Sequence, residues 1–262
     1  MQWTLRHGKE IENMDFNSIP VEEVLDISSL EEYNQKIKQL YLGHFVPLNA
    51  NIYIMEKIAL FPFRLFGDPL DDMFLPLVYQ NFYQISLLII SRLANDQKSD
   101  FLTLNQFKTD LIKMIKPTYL ESFLVLLKQI KFNKETKQLL ERVRCLRDSY
   151  IAHIKRDPSI STTEYLSLEE LKSLRDILNK LLRAFAFNVE HMMLPMSYSS
   201  GDKKVTDIER ILDNIAREST LVNAPEQDPL YWISLQGSNS PLSEKNIKII
   251  NMYRLKFGLP EV

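Results

Sequence analysis

Apolar side chains recur at three- and four-residue spacing along most of the chain, which is the pattern of amphipathic helices with one buried face. The pattern is most regular after Leu168, where one helix face carries Leu171, Leu174, Ile177, Leu178, Leu181 and Leu182. Charged side chains occupy the opposite face of the same stretch. The spacing therefore predicts helices whose leucine faces pack toward a shared core.

Helix starts are marked by a capping Ser or Thr that is followed three positions later by Glu or Gln. Four such pairs occur: Thr103 with Gln106, Thr118 with Glu121, Ser167 with Glu170, and Thr206 with Glu209. Together with the apolar spacing they predict helices at 29–41, 49–60, 71–95, 104–116, 119–131, 134–156, 168–192, 206–219 and 241–257. The prolines at 117, 158 and 195 fall between these predicted helices, where proline is tolerated.

The predicted fold class is all-α, because no segment shows sustained alternation of β-branched and polar residues. We expect an antiparallel helical bundle over 26–195, with an acidic N-terminal arm at 1–25 before it. A polar loop at 197–204 opens a C-terminal helical extension, 196–262. The last predicted helix has the usual start and stop residues, with Pro241 at its first position and Gly258 just past its end.

Several function classes are disfavoured by what the sequence lacks. The six glycines never fall into the glycine-rich patterns that wrap a phosphate. The single cysteine, Cys145, cannot form an internal disulfide. The four histidines, at 7, 44, 153 and 191, are far apart and lack the spacing of metal ligands. We therefore expect neither a metal nor a cofactor.

An uncharged stretch from Met73 to Ser91 is about as long as a membrane-spanning helix. It contains Pro76, Gln80 and Asn81, whose polar groups are costly in lipid but tolerated in a helix packed inside a bundle. We expect a core helix here and no membrane contact. The N-terminal residues lack the apolar stretch of a signal peptide, so the expected location is the cytoplasm.

Charge is unevenly distributed although the net charge is only −2. Residues 104–156 contain twelve Lys and Arg against five Asp and Glu, whereas residues 1–35 contain two against eight. A basic middle segment suits a partner with a phosphate backbone. A solvated helix surface, neutralised by other parts of the fold, explains the same contrast.

The segment CLRDSYIAHIKRDP, residues 145–158, combines groups that can cut RNA without a metal. A neutral imidazole such as His153 can remove the proton from a ribose 2′-hydroxyl. The guanidinium of Arg147 can hold the negative charge that grows on the attacked phosphate. DNA lacks this hydroxyl, so the same chemistry would not cut DNA.

This segment resembles the signature of the HEPN superfamily of helical nucleotide-binding and ribonuclease domains. The signature is an Arg, usually a polar residue, and a His after four to six intervening positions, as in Arg147, Asp148 and His153 here. The preceding helix and loop resemble the abortive-infection branch of the family through Arg92, Leu93, Asp96, Thr103 and Leu104. The resemblance covers about residues 30–195. One departure is Lys155, where family members often carry an acidic residue.

The resemblance implies a metal-independent endoribonuclease that serves as a toxin or phage-defence effector. It implies a homodimer whose active site lies between two motif helices, and an antitoxin or defence protein as a partner. Arg147, His153 and Asp148 would be the catalytic set, with Asp148 orienting Arg147 or the nucleophile. RNA-binding candidates are Arg144, Ser149, Lys155 and Arg156, and Ser149 shares a helix face with His153.

Geometry limits this hypothesis, because Arg147 and His153 lie roughly 120° apart around a straight α-helix. Either the helix loosens before Pro158 or two copies of the motif face each other. The structural alternative is that His153 interacts with the helix dipole and Arg147 forms an ion pair with a neighbouring helix. A non-catalytic helical protein that binds RNA, a nucleotide or a protein, and a plain dimerisation scaffold, are the competing functions.

Overall fold

The fold was analysed in a computed structural model of the chain. It describes residues 16, 19–62, 74–94, 102–130, 132–148, 165–187, 206–221, 244–256 and 258. Within these residues, nine helices of more than ten residues form and no strand does, which confirms the all-α prediction. The extended backbone there makes one isolated bridge, between Leu25 and Ile115.

The nine helices are α1 (Leu30–Leu40), α2 (Val46–Leu60), α3 (Phe74–Ala94), α4 (Leu104–Met114), α5 (Pro117–Gln129), α6 (Lys134–Leu146), α7 (Leu168–Phe185), α8 (Asp207–Leu221) and α9 (Glu244–Lys256). A one-turn helix, Val21–Val24, precedes them. The chain forms two compact units. The larger unit contains residues 1–53 and 82–198, and the smaller unit contains residues 54–81 and 199–262. The predicted domain boundaries at residues 25 and 195 stay a prediction.

The core of the larger unit is aromatic and centres on Tyr33 of α1. Its ring stacks on Phe107 of α4 at 6.1 Å and on Phe187 at 6.0 Å between ring centroids. Its hydroxyl donates to the carbonyl of Phe185 at 2.9 Å and accepts the backbone N–H of Phe187 at 3.1 Å. Burial raises the pKa of this phenol, so it stays protonated. Tyr33 therefore fixes the end of α7 against α1.

That anchor also shortens α7 relative to its prediction. The predicted helix runs to residue 192, whereas α7 ends at Phe185, and Ala186 already leaves helical geometry. Because Tyr33 bonds to the backbone at both Phe185 and Phe187, the chain follows this contact rather than continuing the helix. Residues 188–192 lie outside the described part of the chain.

The helix starts agree with the sequence in three of the four predicted pairs. Ser167 and Glu170 form a complete capping box at α7, with both reciprocal hydrogen bonds. Thr103 caps α4 by accepting the N–H of Gln106 at 3.1 Å. The Thr118 prediction is wrong, because α5 begins at Pro117, two residues before the predicted start at 119, and its cap position is Lys116. Proline suits the first position of a helix, where its missing N–H costs nothing.

Thr206 at the start of α8 uses a variant of the predicted box. Its backbone N–H and its hydroxyl both donate to the carboxylate of Glu209, at 3.0 and 2.8 Å. Lys57 of α2 pairs with the same carboxylate at 2.6 Å. The hydrogen bond from Lys57 and that from the Thr206 backbone lower the pKa of Glu209 to about 2, against the opposing effect of burial. Glu209 thereby links α2 to α8 within the smaller unit.

Replacing Glu209 by Gln should destabilise the full chain at pH 7 by about 1–2 kcal/mol, a figure reduced for solvent screening. The folded-state pKa lies below the ordinary 4.5, so this stabilisation is present above pH 4.5 and is lost as the pH falls toward 2. Denaturant unfolding at pH 7, 4 and 3 measures it. Asp207→Asn is the matched control, because Asp207 is 91% exposed and only pairs with Arg210 at 3.3 Å. An equal penalty for Glu209→Gln at pH 7 and pH 3 would contradict the linkage.

The predicted break between the first two helices is replaced by a π-helical turn. Tyr41–Phe45 continues α1 directly into α2, although the sequence predicts a gap at residues 42–48. Pro47 explains the wider turn, because its ring would clash with the carbonyl of Gly43, four residues earlier, in a regular α-helix. Such turns are rare and often occur at functional sites. This turn carries His44.

α3 is the helix among the described residues that is long and apolar enough to cross a membrane, by length and composition alone. Its most apolar window is 39% buried. Ser86 and Ser91 are fully buried in its second half, and Ser86 donates to the carbonyl of Phe82. The expectation of a core helix stays a prediction.

Candidate functional site

The candidate site is built on the C-terminal end of α6. Asn133 caps this helix by accepting the N–H of Thr136 at 2.7 Å. Leu140, Val143 and Leu146 form its buried face at three-residue spacing. This buried face fixes the rotation of α6 and hence the direction in which the next residue, Arg147, leaves the helix.

At Arg147 the helix changes its geometry. α-Helical hydrogen bonding ends at Leu146, and Arg147 and Asp148 continue in a wider, π-helical turn. Residues 149–164 lie outside the described part of the chain, so the separation of Arg147 and His153 and both ways of bringing the motif together stay predictions.

Among the described residues, two side chains accept hydrogen bonds from the guanidinium of Arg147. Its Nε donates to Oδ1 of Asp148 at 2.8 Å, and a terminal nitrogen donates to the hydroxyl of Ser91 at 2.7 Å. Ser91 is fully buried on α3, whereas the Asp148 side chain is 51% exposed. One bond therefore ties Arg147 to the core and the other reaches toward the surface. The contact from Asp148 is the one that an orienting role would require.

The electrostatics of this pair leave the arginine charged. Guanidinium stays protonated in proteins, and a carboxylate neighbour favours its charge further. The side chain of Arg147 is 21% exposed, so part of it faces solvent while the rest is restrained. A restrained, partly accessible cation can meet a phosphate with little reorganisation.

A histidine outside the predicted set lies near the end of α3 that carries Ser91. His44, in the π-helical turn, interacts electrostatically with Arg92, which follows Ser91 in the chain. Burial and the positive charge of Arg92 lower the pKa of His44. Its imidazole is therefore neutral at neutral pH, the form that can accept a proton. The π-helical turn that Pro47 requires is the sequence signal that points to His44.

The remaining members of the predicted set divide into two groups. Arg144 is 53% exposed and pairs with Glu141 on its own helix at 2.9 Å. It lies three residues before Arg147, on the same side of α6. Ser149, His153, Lys155 and Arg156 lie outside the described part of the chain, so the structure neither joins them to Arg147 nor separates them from it.

The upstream residues of the family resemblance occupy structural positions. Leu93 and Leu104 are buried, and Thr103 caps α4. Arg92 is exposed near the end of α3. Asp96 lies outside the described residues. Within this set, Arg92 is the member whose side chain is available to solvent.

An ion pair and a hydrogen bond connect α6 to the segment at the start of α7. Arg142 pairs with Glu170 and donates to the carbonyl of Tyr165 at 3.1 Å. Burial opposes ionisation of Glu170, but hydrogen bonds from the Ser167 backbone and from Arg142 outweigh it and lower the pKa of this carboxyl. α6 is thus fixed five residues before Arg147.

Among the described residues no group of three or more His, Cys, Asp or Glu is placed to hold a metal ion. Cys145, beside the site, has its thiol 4.0 Å from a carboxylate oxygen of Glu141, a weak contact at most. No protein-family model, no curated protein and no solved structure matches the chain.

Proposed function

We propose that the protein is a metal-independent endoribonuclease in which Arg147 contacts the phosphate that is attacked. The observation that carries this proposal is the Arg147 side chain, restrained by Ser91 and Asp148 and still 21% exposed. A restrained guanidinium that is partly exposed to solvent suits a phosphate that gains charge during a reaction. The resemblance of residues 145–158 to the HEPN signature supplies the reaction class.

The chemistry follows from intramolecular attack within RNA. His153 accepts the proton of a ribose 2′-hydroxyl, whose oxygen forms a bond to the adjacent phosphorus. The bond from phosphorus to the 5′-oxygen of the next nucleotide breaks, and that oxygen takes a proton from water. Arg147 stabilises the charge on the phosphoryl oxygens between these steps. The products are a 2′,3′-cyclic phosphate and a 5′-hydroxyl.

Each of the other motif residues has a proposed role. Asp148 is a positioning residue that acts through Arg147. Arg144, Lys155 and Arg156 contact the RNA backbone, and Ser149 orients the ring of His153. Following the family resemblance, two copies of the chain form a homodimer whose cleft contains both motifs. A toxin or phage-defence role, a protein partner that restrains the activity, and a cytoplasmic location belong to the same proposal.

The chemistry of the RNA ends tests the proposed reaction. The full-length protein should cut single-stranded RNA in the presence of EDTA and leave 2′,3′-cyclic phosphate and 5′-hydroxyl ends. A substrate with one 2′-deoxyribose at a mapped cleavage position should resist cutting there and nowhere else. Ends with a 5′-phosphate, or cleavage that requires a divalent metal, would contradict the mechanism.

A second candidate function rests on a comparison inside the chain. Arg175 and Asp176 on α7, outside the motif, form the same kind of adjacent pair, with Nε donating to Oδ1 at 2.9 Å. Pairing of Arg147 with Asp148 is therefore also compatible with a non-catalytic module that binds RNA or a protein. Such a module would shift RNA in a salt-dependent manner and return it intact.

A further inference from the structure

The larger unit contains a cavity of about 560 Å³ between the end of α3, the helices α4, α5 and α7, and the start of α6. Ten of its fourteen lining residues are apolar, among them Leu93, Leu127, Leu181 and Phe185. The size lies within the range of small-molecule sites, about 300–1,000 Å³. The cavity is open to solvent on one side.

Among the described residues that line this cavity, the charged side chains are all positive: Lys108 on α4, Lys128 on α5 and Lys137 on α6, with Asn105 as the fourth polar residue. Lys128 and Lys137 are exposed and Lys108 is half-buried, so their ammonium groups can stay in water while their apolar stems cover the lining. Within the part of the chain that the structure describes, none of the three pairs with a carboxylate.

We propose that this cavity binds a single-chain amphiphile with a carboxylate head, the class of long-chain fatty acids. The apolar lining takes the alkyl chain, since burying each methylene contributes a constant increment of affinity. The three lysines hold the carboxylate at the open side, where a negative charge also relieves their mutual repulsion.

Other ligand classes fit less well. A nucleotide would leave its polar base edges and ribose hydroxyls against apolar side chains, at the cost of unmade hydrogen bonds. An acidic helix of a partner protein longer than one turn does not fit, because each turn, about 10 Å across and 5.4 Å long, takes roughly 400 Å³ of the 560 Å³ available. An alkyl chain has neither problem. This site does not depend on the proposed ribonuclease activity.

Calorimetric titration of the full-length protein with octanoate, dodecanoate and methyl dodecanoate, below their aggregation concentrations, tests the proposal. Dodecanoate should bind roughly 200-fold more tightly than octanoate, since four added methylenes each contribute about fourfold. The uncharged methyl ester should bind about tenfold more weakly than dodecanoate because the lysines lose their partner. Absence of dodecanoate binding, or equal affinity for acid and ester, would overturn the proposal.

Variants of the lining distinguish binding of the carboxylate head group from binding of the alkyl chain. Replacing Lys108, Lys128 and Lys137 together by Gln should abolish the preference for the acid over the ester, whereas Lys113→Gln, on the same helix as Lys108 but outside the lining, should keep it. Leu124→Trp should weaken the binding of dodecanoate by at least tenfold, because the larger side chain fills part of the cavity. Leu124 is 38% exposed. Binding that no variant changes would show that dodecanoate sits elsewhere and would overturn the assignment.

Discussion

Replacing Arg147 by Ala should lower the rate of RNA cleavage by about 10²–10³-fold, the usual loss when a fixed donor to a developing anion is removed. The cleavage rate of Arg147→Lys should fall between those of the unmodified protein and Arg147→Ala. Lysine keeps the charge but lacks the planar fork that Asp148 and Ser91 hold. Initial rates on one RNA at fixed salt, with thermal unfolding of each variant alongside, measure the effect.

The chain offers a matched control for this variant. Arg175 is paired with Asp176 through the same atoms, at 2.9 Å, and its side chain is 15% exposed against 21% for Arg147. Arg175→Ala should therefore change stability about as much as Arg147→Ala but change cleavage less than twofold. Equal losses of cleavage in both variants would show that Arg147 acts through stability alone. The assignment of Arg147 to the active site would then be refuted.

The proposed role of Asp148 in orienting Arg147 can be tested with two substitutions. If Asp148 orients Arg147, Asp148→Asn should keep most of the activity, because the amide oxygen can still accept the Nε hydrogen bond. Asp148→Ala removes the acceptor and should lose more. A large loss in both variants would indicate that the negative charge itself is needed, for example as a proton acceptor.

The sequence predicted the fold class and the helix order because both depend on apolar spacing and caps that act locally. The helix start at Ser167 and Glu170 was predicted correctly, since both members of a capping box lie within one turn. The start at Thr118 was predicted wrongly, because Pro117 takes the first position of the same helix. The end of α7 depends on Tyr33, which is 152 residues away from Phe185, and no local pattern records such a contact.

The candidate site shows the same division between local and distant information. Asp148 is adjacent to Arg147 in sequence, so their pairing could be anticipated. Ser91 is 56 residues away and becomes a partner only because the fold brings Arg147, just after α6, to α3. The charge of the basic middle segment suits a phosphate-backbone partner or a solvated helix surface, and three of its lysines line the apolar cavity. Charge counts alone therefore do not assign these cations to one surface.

Replacing His153 by Ala should lower cleavage by about 10²–10⁴-fold if this imidazole is the general base. The rising limb of the pH–rate profile should then report deprotonation of this imidazole and should flatten in the variant. The measurement is single-turnover cleavage from pH 5 to pH 8 at constant ionic strength, with metal chelated throughout.

His44 provides the decisive comparison, because it is the histidine that the structure places near Arg92 on α3. Since burial and that arginine lower the pKa of His44, a base at this position would move the rising limb below pH 6.5. Under the proposed mechanism His44→Ala should reduce the rate less than threefold and leave the profile in place. A large loss in His44→Ala with full activity in His153→Ala would transfer the base from the motif helix to the π-helical turn at Tyr41–Phe45 and refute the assignment of His153.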